Sequence, residues 1–100
     1  MNNEFEQVVV EFNTKAQKLF FLTYERFHAS TRRLDRKKDE NVFQQQLSKY
    51  LHDLKLQLEN IASELLHKNK SLVNINRYNS ILTDKIKDYL NEFTQKSRSH

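Results

Sequence analysis

Two Glu-x-x-His pairs are the residues of this sequence best suited to hold a metal ion. Glu25 and His28 form one pair, and Glu64 and His67 form the other. Di-iron bundles use two such pairs on separate helices, with a glutamate from each of two further helices. In an up-down-up arrangement of helices, however, the two pairs would lie near opposite ends of the molecule, more than about 25 Å apart. We therefore expect surface histidines, and we predict neither a metal nor a cofactor.

A basic segment is the second group of residues with functional potential. Residues 25–38 hold six basic residues against Glu25 and Asp35. In an up-down-up bundle this segment would meet the C-terminus of the last helix. The predicted basic patch consists of Arg26, Arg32, Arg33, Arg36, Lys37, Lys38, Lys96 and Arg98. Such a patch attracts phosphates or acidic proteins, although basic residues at helix C termini also complement the helix dipole.

An aromatic patch is the third group, and it consists of Phe20, Phe21, Tyr24 and Phe27. Consecutive residues of a helix point about 100° apart, so one pair of neighbouring helices need not cover both Phe20 and Phe21. Dense large aromatic residues often anchor protein interfaces. We predict that this patch mediates self-association or binds a protein partner. The alternative is that the four side chains belong to the hydrophobic core.

Catalytic chemistry has little support in the composition. The 100 residues include no glycine, no proline and no cysteine. A phosphate-binding glycine loop, a nucleophile elbow and a cysteine nucleophile are therefore excluded. The serines also show no spacing to a histidine and an acidic residue that would indicate a catalytic triad. We expect a protein that is not an enzyme.

Length and hydropathy indicate one helical domain over residues 1–100. The apolar share is 37% and the charged share is 30%, a balance that fits helices with narrow apolar stripes. The longest apolar run covers only residues 19–22, far short of a membrane span. Residues 1–7 are acidic, unlike a signal peptide. We expect no membrane contact and a cytoplasmic protein.

The apolar periodicity predicts three helices, at residues 3–36, 41–67 and 71–97. Asn3 with Glu6 has the spacing of a capping box, and either Asp39 or Asn41 is placed to cap the second helix. Ser71 is available to cap the third helix. The run Val8–Val10 favours a strand, but no other segment offers a partner strand.

The expected fold is therefore all-α, an antiparallel three-helix up-down-up bundle. The second helix carries apolar residues at alternating steps of four and three, a pattern typical of helix packing. The predicted core consists of Phe5, Val9, Phe12, Leu19, Phe27, Leu47, Leu54, Leu58, Ile61, Leu65, Ile75, Leu82, Ile86 and Phe93.

A long helical hairpin is the alternative fold. The four-three rhythm of the second helix continues in phase into the third, which favours one continuous helix over residues 41–96. That helix would be roughly 80 Å long and would need a second chain to bury its apolar residues, as in an oligomeric coiled coil.

The function expected from these features is a non-enzymatic interaction module. It would act by homodimerisation or by packing against a helix of another protein. The alternative function is a nucleic-acid-associated regulator that uses the basic patch.

Overall fold

The computed structural model of the chain is built from three helices. It describes residues 3–35, 37–68 and 75–98. In these ranges there is no strand, and the helices are α1 (Asn3–Thr31), α2 (Glu40–Lys68) and α3 (Ile75–Arg98).

The helices run up, down and up. Phe5 near the start of α1 packs edge-on against Tyr78 near the start of α3, with ring centroids 3.9 Å apart. Phe27 near the end of α1 packs against Phe43 near the start of α2. All three helices contact one another, and the molecule measures 53 × 19 × 19 Å. The predicted three-helix bundle is confirmed, and the alternative of one continuous helix over residues 41–96 is wrong.

The hydrophobic core follows the predicted stripes, with additions. Of the predicted core, Val9, Leu19 and Ile61 are only partly buried, and the side chain of Ile75 lies outside the described part of the structure. Val8, which lies beside the main stripe of α1, is 3% exposed because α1 packs against α2 as well as α3. The other buried apolar residues outside the predicted core are Ala16, Phe43, Ala62, Leu66 and Tyr78.

Helix α1 ends at Thr31, five residues before the predicted end at 36. The hydroxyl groups of Ser30 and Thr31 both donate hydrogen bonds to the carbonyl oxygen of Phe27, at 2.8 and 2.9 Å. The last carbonyls of a helix lack intrahelical partners. Here the Arg32 amide donates to the His28 carbonyl at 2.9 Å and the Leu34 amide donates to the Thr31 carbonyl at 3.0 Å, in a chain with no glycine to form the usual left-handed cap.

Two aspartates organise the connection between α1 and α2. The Asp39 carboxylate accepts a hydrogen bond from the Asp35 amide at 3.0 Å, and the Asp35 carboxylate accepts one from the Lys37 amide at 2.9 Å. The Asp39 carbonyl accepts the first bond of α2, from the Phe43 amide. Asp39 is therefore the residue at the N-cap position, whereas Asn41 lies inside the helix. Among the described residues no backbone adopts a positive φ.

The junction between α2 and α3 is only partly described. Helix α2 extends one residue beyond its predicted end at 67, and α3 extends one residue beyond its predicted end at 97. The predicted start of α3 at residue 71, with Ser71 as its cap, lies outside the described residues, as does the side chain of Asn3. Within the described ranges, none of the helices combines the length and hydrophobicity that crossing a membrane requires.

Candidate functional site

The predicted aromatic patch divides into core and surface residues. Phe27 is 2% exposed and belongs to the core. Phe20 and Tyr24 are partly buried against the Phe93 ring of α3, at centroid distances of 5.5 and 5.7 Å. Phe21 alone is fully on the surface, with 60% of its area exposed. The four residues therefore do not form one surface, and Phe21 is the member that remains available to a partner.

Two further apolar side chains of α1 are exposed with Phe21. Val10 is 64% exposed and Leu22 is 45% exposed. Val10 and Phe21 are eleven positions apart, close to three turns, so they lie on the same side of α1, about 16 Å from one another. We call Val10, Phe21 and Leu22 the α1 outer face. The sequence could have indicated that Val10 shares a helix face with Phe21, because their separation of eleven residues is a sum of steps of three and four. The predicted aromatic patch does not include Val10.

A groove lies between α1 and α3 near their N termini, over the packed rings of Phe5 and Tyr78. Its volume is about 630 Å³. Its walls are mostly apolar, and Glu6 and Arg77 bring charge to it. The lining residues are Phe5, Glu6, Val9, Val10, Arg77, Tyr78 and Ile81. The groove therefore continues the apolar surface of Val10 toward α3.

Polar contacts join α1 to α3 further along the same side. The Tyr89 hydroxyl donates a hydrogen bond to Oδ1 of Asn13 at 3.0 Å. Burial raises the pKa of the Tyr89 phenol above its ordinary value of 10.0, and nearby Glu92 raises it further, while a side-chain hydrogen bond with Gln17 opposes the increase. Tyr89 therefore remains protonated at neutral pH and serves as a hydrogen-bonding link between the helices.

The basic patch is assembled at one end of the bundle, as the topology predicts. Arg98 Nη2 lies 3.5 Å from Oε1 of Gln44, and Lys96 Nζ lies 4.7 Å from the centre of the Tyr24 ring. These contacts bring the C-terminus of α3 beside the end of α1 and the start of α2. Arg36 lies outside the described residues.

Several cations of this end form no ion pair within the part of the chain that the structure describes. Among the described residues, the ion pair that forms is Lys15 with Glu11, at 3.8 Å and away from this end. The members of the basic patch without an ion pair to a described residue are Arg26, Arg32, Arg33, Lys37 and Lys38. Positive charge is therefore left available to an anion.

A small cleft of about 210 Å³ opens at the basic end. Aromatic rings form much of its lining, and His28 and Arg32 contribute polar groups. The hydroxyls of Thr31 and Ser97 also line the cleft, but each donates to a carbonyl of its own helix, Phe27 and Phe93 respectively. The lining residues are Tyr24, Phe27, His28, Thr31, Arg32, Leu34, Phe43 and Ser97.

The two Glu-x-x-His pairs are not brought together. Glu25 and His28 lie near the end of α1, whereas Glu64 and His67 lie near the end of the antiparallel α2, at the other end of the 53 Å bundle. The His28 ring stacks on Tyr24 with centroids 6.2 Å apart. In the part of the chain that the structure describes, no three metal-ligating side chains cluster.

The chain was compared with protein-family models, with curated proteins and with solved structures. None of the three comparisons finds a match. A function is therefore proposed from the exposed apolar residues and the charges on the surface of the bundle.

Proposed function

We propose that this protein is a non-enzymatic helical interaction module that self-associates through the α1 outer face. The observation that carries the proposal is the 60% exposure of Phe21 in the body of a long helix. Leu22 adjoins it, and Val10 lies on the same side of the helix. A cytoplasmic location is part of the proposal and agrees with a chain that has no cysteine.

The expected affinity of this association follows from the size of the apolar surface. Complete burial of a large apolar side chain contributes about 1.5–3 kcal/mol. A symmetric dimer would cover Val10 and Phe21 of both copies, and association itself costs roughly 4–15 kcal/mol. The balance predicts a weak dimer with a dissociation constant in the micromolar range or above, rather than an obligate one.

The proposed lack of catalysis is supported by the state of the polar groups. The Thr31 and Ser97 hydroxyls at the basic-end cleft already donate to backbone carbonyls. The Thr31 proton is therefore committed to a backbone carbonyl rather than to a base, as a nucleophile would require.

The test is the mass of the protein in solution after Phe21→Glu, measured by sedimentation velocity across a range of concentrations. Wild type should approach the mass of two chains as concentration rises, whereas Phe21→Glu should stay at one chain with an unchanged helical circular dichroism spectrum. Leu56→Glu is the matched control, because Leu56 is an exposed leucine of α2, at 46%. A variant Phe21→Glu that still dimerises, or a wild type that stays at one chain throughout, would contradict the proposal.

Binding of a polyanion such as a nucleic acid at the basic patch is a second candidate function. The observation in its favour is the group of cations that form no ion pair with a described residue. Counterion release makes such binding fall steeply with salt, with a slope near −0.9 per phosphate neutralised on a duplex.

The matching experiment replaces Arg32, Arg33, Arg36 and Lys37 together by glutamine. The control replaces four cations outside the patch, Lys55, Lys68, Lys85 and Lys87, by glutamine. Titration of a labelled duplex at several salt concentrations should show loss of binding and a shallower salt slope in the first variant only. Equal binding by the two variants would remove this function.

A further inference from the structure

We infer that the self-association pairs α1 with α1 of a second copy in antiparallel orientation, with Val10 of each copy opposite Phe21 of the other. This inference rests on the proposed function and names its partner and its register. Four observations about α1 support it: the spacing of its exposed residues, the state of its central polar groups, the placement of its charges and the overlap that pairing would produce.

The spacing of the exposed residues fits a coiled-coil seam. Steps of three and four run along the outer side of α1 through Val10 and Phe21, and the intervening members are exposed. We call this row the α1 seam, and its residues are Gln7, Val10, Thr14, Gln17, Phe21, Tyr24 and His28. Val10 and Phe21 take the two different core positions of the heptad, d and a.

Antiparallel coiled coils pair an a position with a d position across the two helices, so this assignment has a consequence. With the two-fold axis between residues 15 and 16, Val10 faces Phe21 of the second copy. The same register places Thr14 opposite Gln17 and Gln7 opposite Tyr24. Each pair occurs twice by symmetry, as an isologous interface requires, and a small side chain meets a large one at both apolar layers.

The polar residues at the centre of the seam already have partners inside their own chain. The Thr14 hydroxyl donates to the Val10 carbonyl at 2.9 Å, and Gln17 forms a side-chain hydrogen bond with Tyr89. Leaving a buried polar group without a partner is what makes dehydration costly. The Thr14 hydroxyl therefore keeps its donor bond when a second helix covers it, and the remaining amide groups of Gln17 face the Thr14 hydroxyl of the second copy in this register.

Charges beside the seam select the antiparallel orientation. Glu11 and Lys18 occupy the e positions, which face e positions of the partner helix in an antiparallel pair. Glu11 of each copy, which pairs with Lys15 of its own helix at 3.8 Å, would then also lie near Lys18 of the other copy. A parallel pair would instead bring Glu6 near Glu11 of the second copy and create repulsion. At the ends of the α1 seam, the antiparallel register brings Glu25 near residue 4 of the second copy, which is also a glutamate. These end pairs repel, so the electrostatic attraction comes from the Glu11–Lys18 pairs at the centre.

The register also keeps the two bundles side by side. Its axis passes within two residues of the midpoint of α1 (Asn3–Thr31), so the two helices overlap almost completely. A dimer of this kind should be little longer than one 53 Å bundle and about twice as wide. Small-angle scattering would therefore separate it from an end-to-end dimer.

The deciding experiment is a charge-reversal series read out as the dimer dissociation constant. Glu11→Lys should weaken the antiparallel dimer about tenfold, since both central charge pairs become repulsive. Lys18→Glu should do the same, and the double variant Glu11→Lys/Lys18→Glu should restore wild-type affinity. Tighter association of Glu11→Lys, which relieves the Glu6 repulsion of a parallel pair, would overturn the inference. So would a set of unchanged constants.

Cysteine trapping provides an independent measurement, because the natural chain has no cysteine. Val10→Cys mixed with Phe21→Cys should form an intermolecular disulfide. Val10→Cys alone should not, because its two thiols would lie about 16 Å apart along the axis, beyond disulfide reach. Rapid disulfide formation by Val10→Cys alone would indicate a parallel pair and overturn the register. If Phe21→Cys fails to dimerise, the charge-reversal series decides.

The two proposals fail in different ways. A wild-type protein that stays at one chain contradicts self-association itself. A wild-type dimer that is lost in Phe21→Glu but is indifferent to the charge reversals leaves self-association in place and removes the antiparallel register.

Discussion

Replacing Phe27 by alanine should remove the contact at which all three helices meet. The Phe27 ring lies 5.6 Å from Phe43 and 5.7 Å from Tyr50, both on α2, and 5.7 Å from Phe93 on α3. The side chain is 2% exposed, so the substitution would leave a cavity lined by three rings.

The magnitude follows from the chemistry of that cavity. Buried Phe→Ala substitutions cost about 3–5 kcal/mol, and each favourable aromatic pair adds about 0.5–1.5 kcal/mol beyond area burial. Several such pairs place Phe27→Ala toward the upper end of the range. A domain of this size is stable by only about 5–15 kcal/mol, and the expected fall in Tm is roughly 15–30 °C.

The assay is urea unfolding followed by circular dichroism, at a protein concentration where sedimentation shows single chains. Phe21→Ala is the matched control, because it deletes the same ring from the same helix at a position 60% exposed. We expect its cost to stay within about 0.5 kcal/mol. Phe27→Leu, which retains volume but loses the ring contacts, should lie between the two. Equal costs for Phe27→Ala and Phe21→Ala would refute the division of the aromatic patch into core and surface.

Two further predictions concern the connection between α1 and α2 and the link between α1 and α3. Asp39→Ala should lower the free energy of unfolding by about 1 kcal/mol, because it removes the N-cap side chain and its bond to the Asp35 amide. Asn41→Ala should change the free energy of unfolding by less than about 0.5 kcal/mol. Urea titration of both variants checks this, and a larger loss for Asn41→Ala would assign the cap to Asn41. Tyr89→Phe should cost about 1 kcal/mol at neutral pH through loss of the bond to Asn13. Burial raises the pKa of folded Tyr89, so its contribution is present below about pH 10 and is lost as pH rises through the folded pKa. The difference between wild type and Tyr89→Phe should therefore stay constant below about pH 10 and shrink as the pH rises further, and a difference that stays constant above about pH 10 would contradict the direction of the shift.

The apolar period was sufficient to predict the helices, but their ends depended on local hydrogen bonds. Helix α2 begins at Glu40 and ends at Lys68, one residue from each predicted bound. The predicted end of α1 at residue 36 is too late, because the chain leaves the helix after Thr31: the Leu34 amide bonds to the Thr31 carbonyl three residues back, and the Asp35 amide bonds to the Asp39 carboxylate. No apolar period reports such bonds, since they depend on the backbone and on one carboxylate rather than on hydropathy.

The candidate site was predictable only in part, for a geometric reason. Phe20 and Phe21 are equally apolar in the sequence, and the direction of the core decides which one is buried. That direction depends on where α3 lies around α1, which is set by contacts such as Phe20 with Phe93. The basic end was easier to predict, because it required only the order of the helices and not their rotation.

Because residues 41–96 do not form one continuous helix, fewer surfaces are available for a second copy to bind. The heptad seams of α2 and α3 share one phase, yet α2 contacts α3 within the same chain and buries both seams there. In the described part of α3, no large apolar side chain is exposed, and α2 exposes only Val42 and Leu56.

Pairing through the exposed residues of α2 is disfavoured by charge. Val42 and Leu56 are fourteen positions apart, and Lys49 lies midway between them. An antiparallel pair that matched Val42 with Leu56 would place Lys49 against Lys49 of the second copy. The centre of the α1 seam instead holds Thr14 and Gln17, with Glu11 and Lys18 beside it. Helix α1 exposes three large apolar residues and α2 exposes two, and the charge at the midpoint also makes α1 the helix suited to self-pairing.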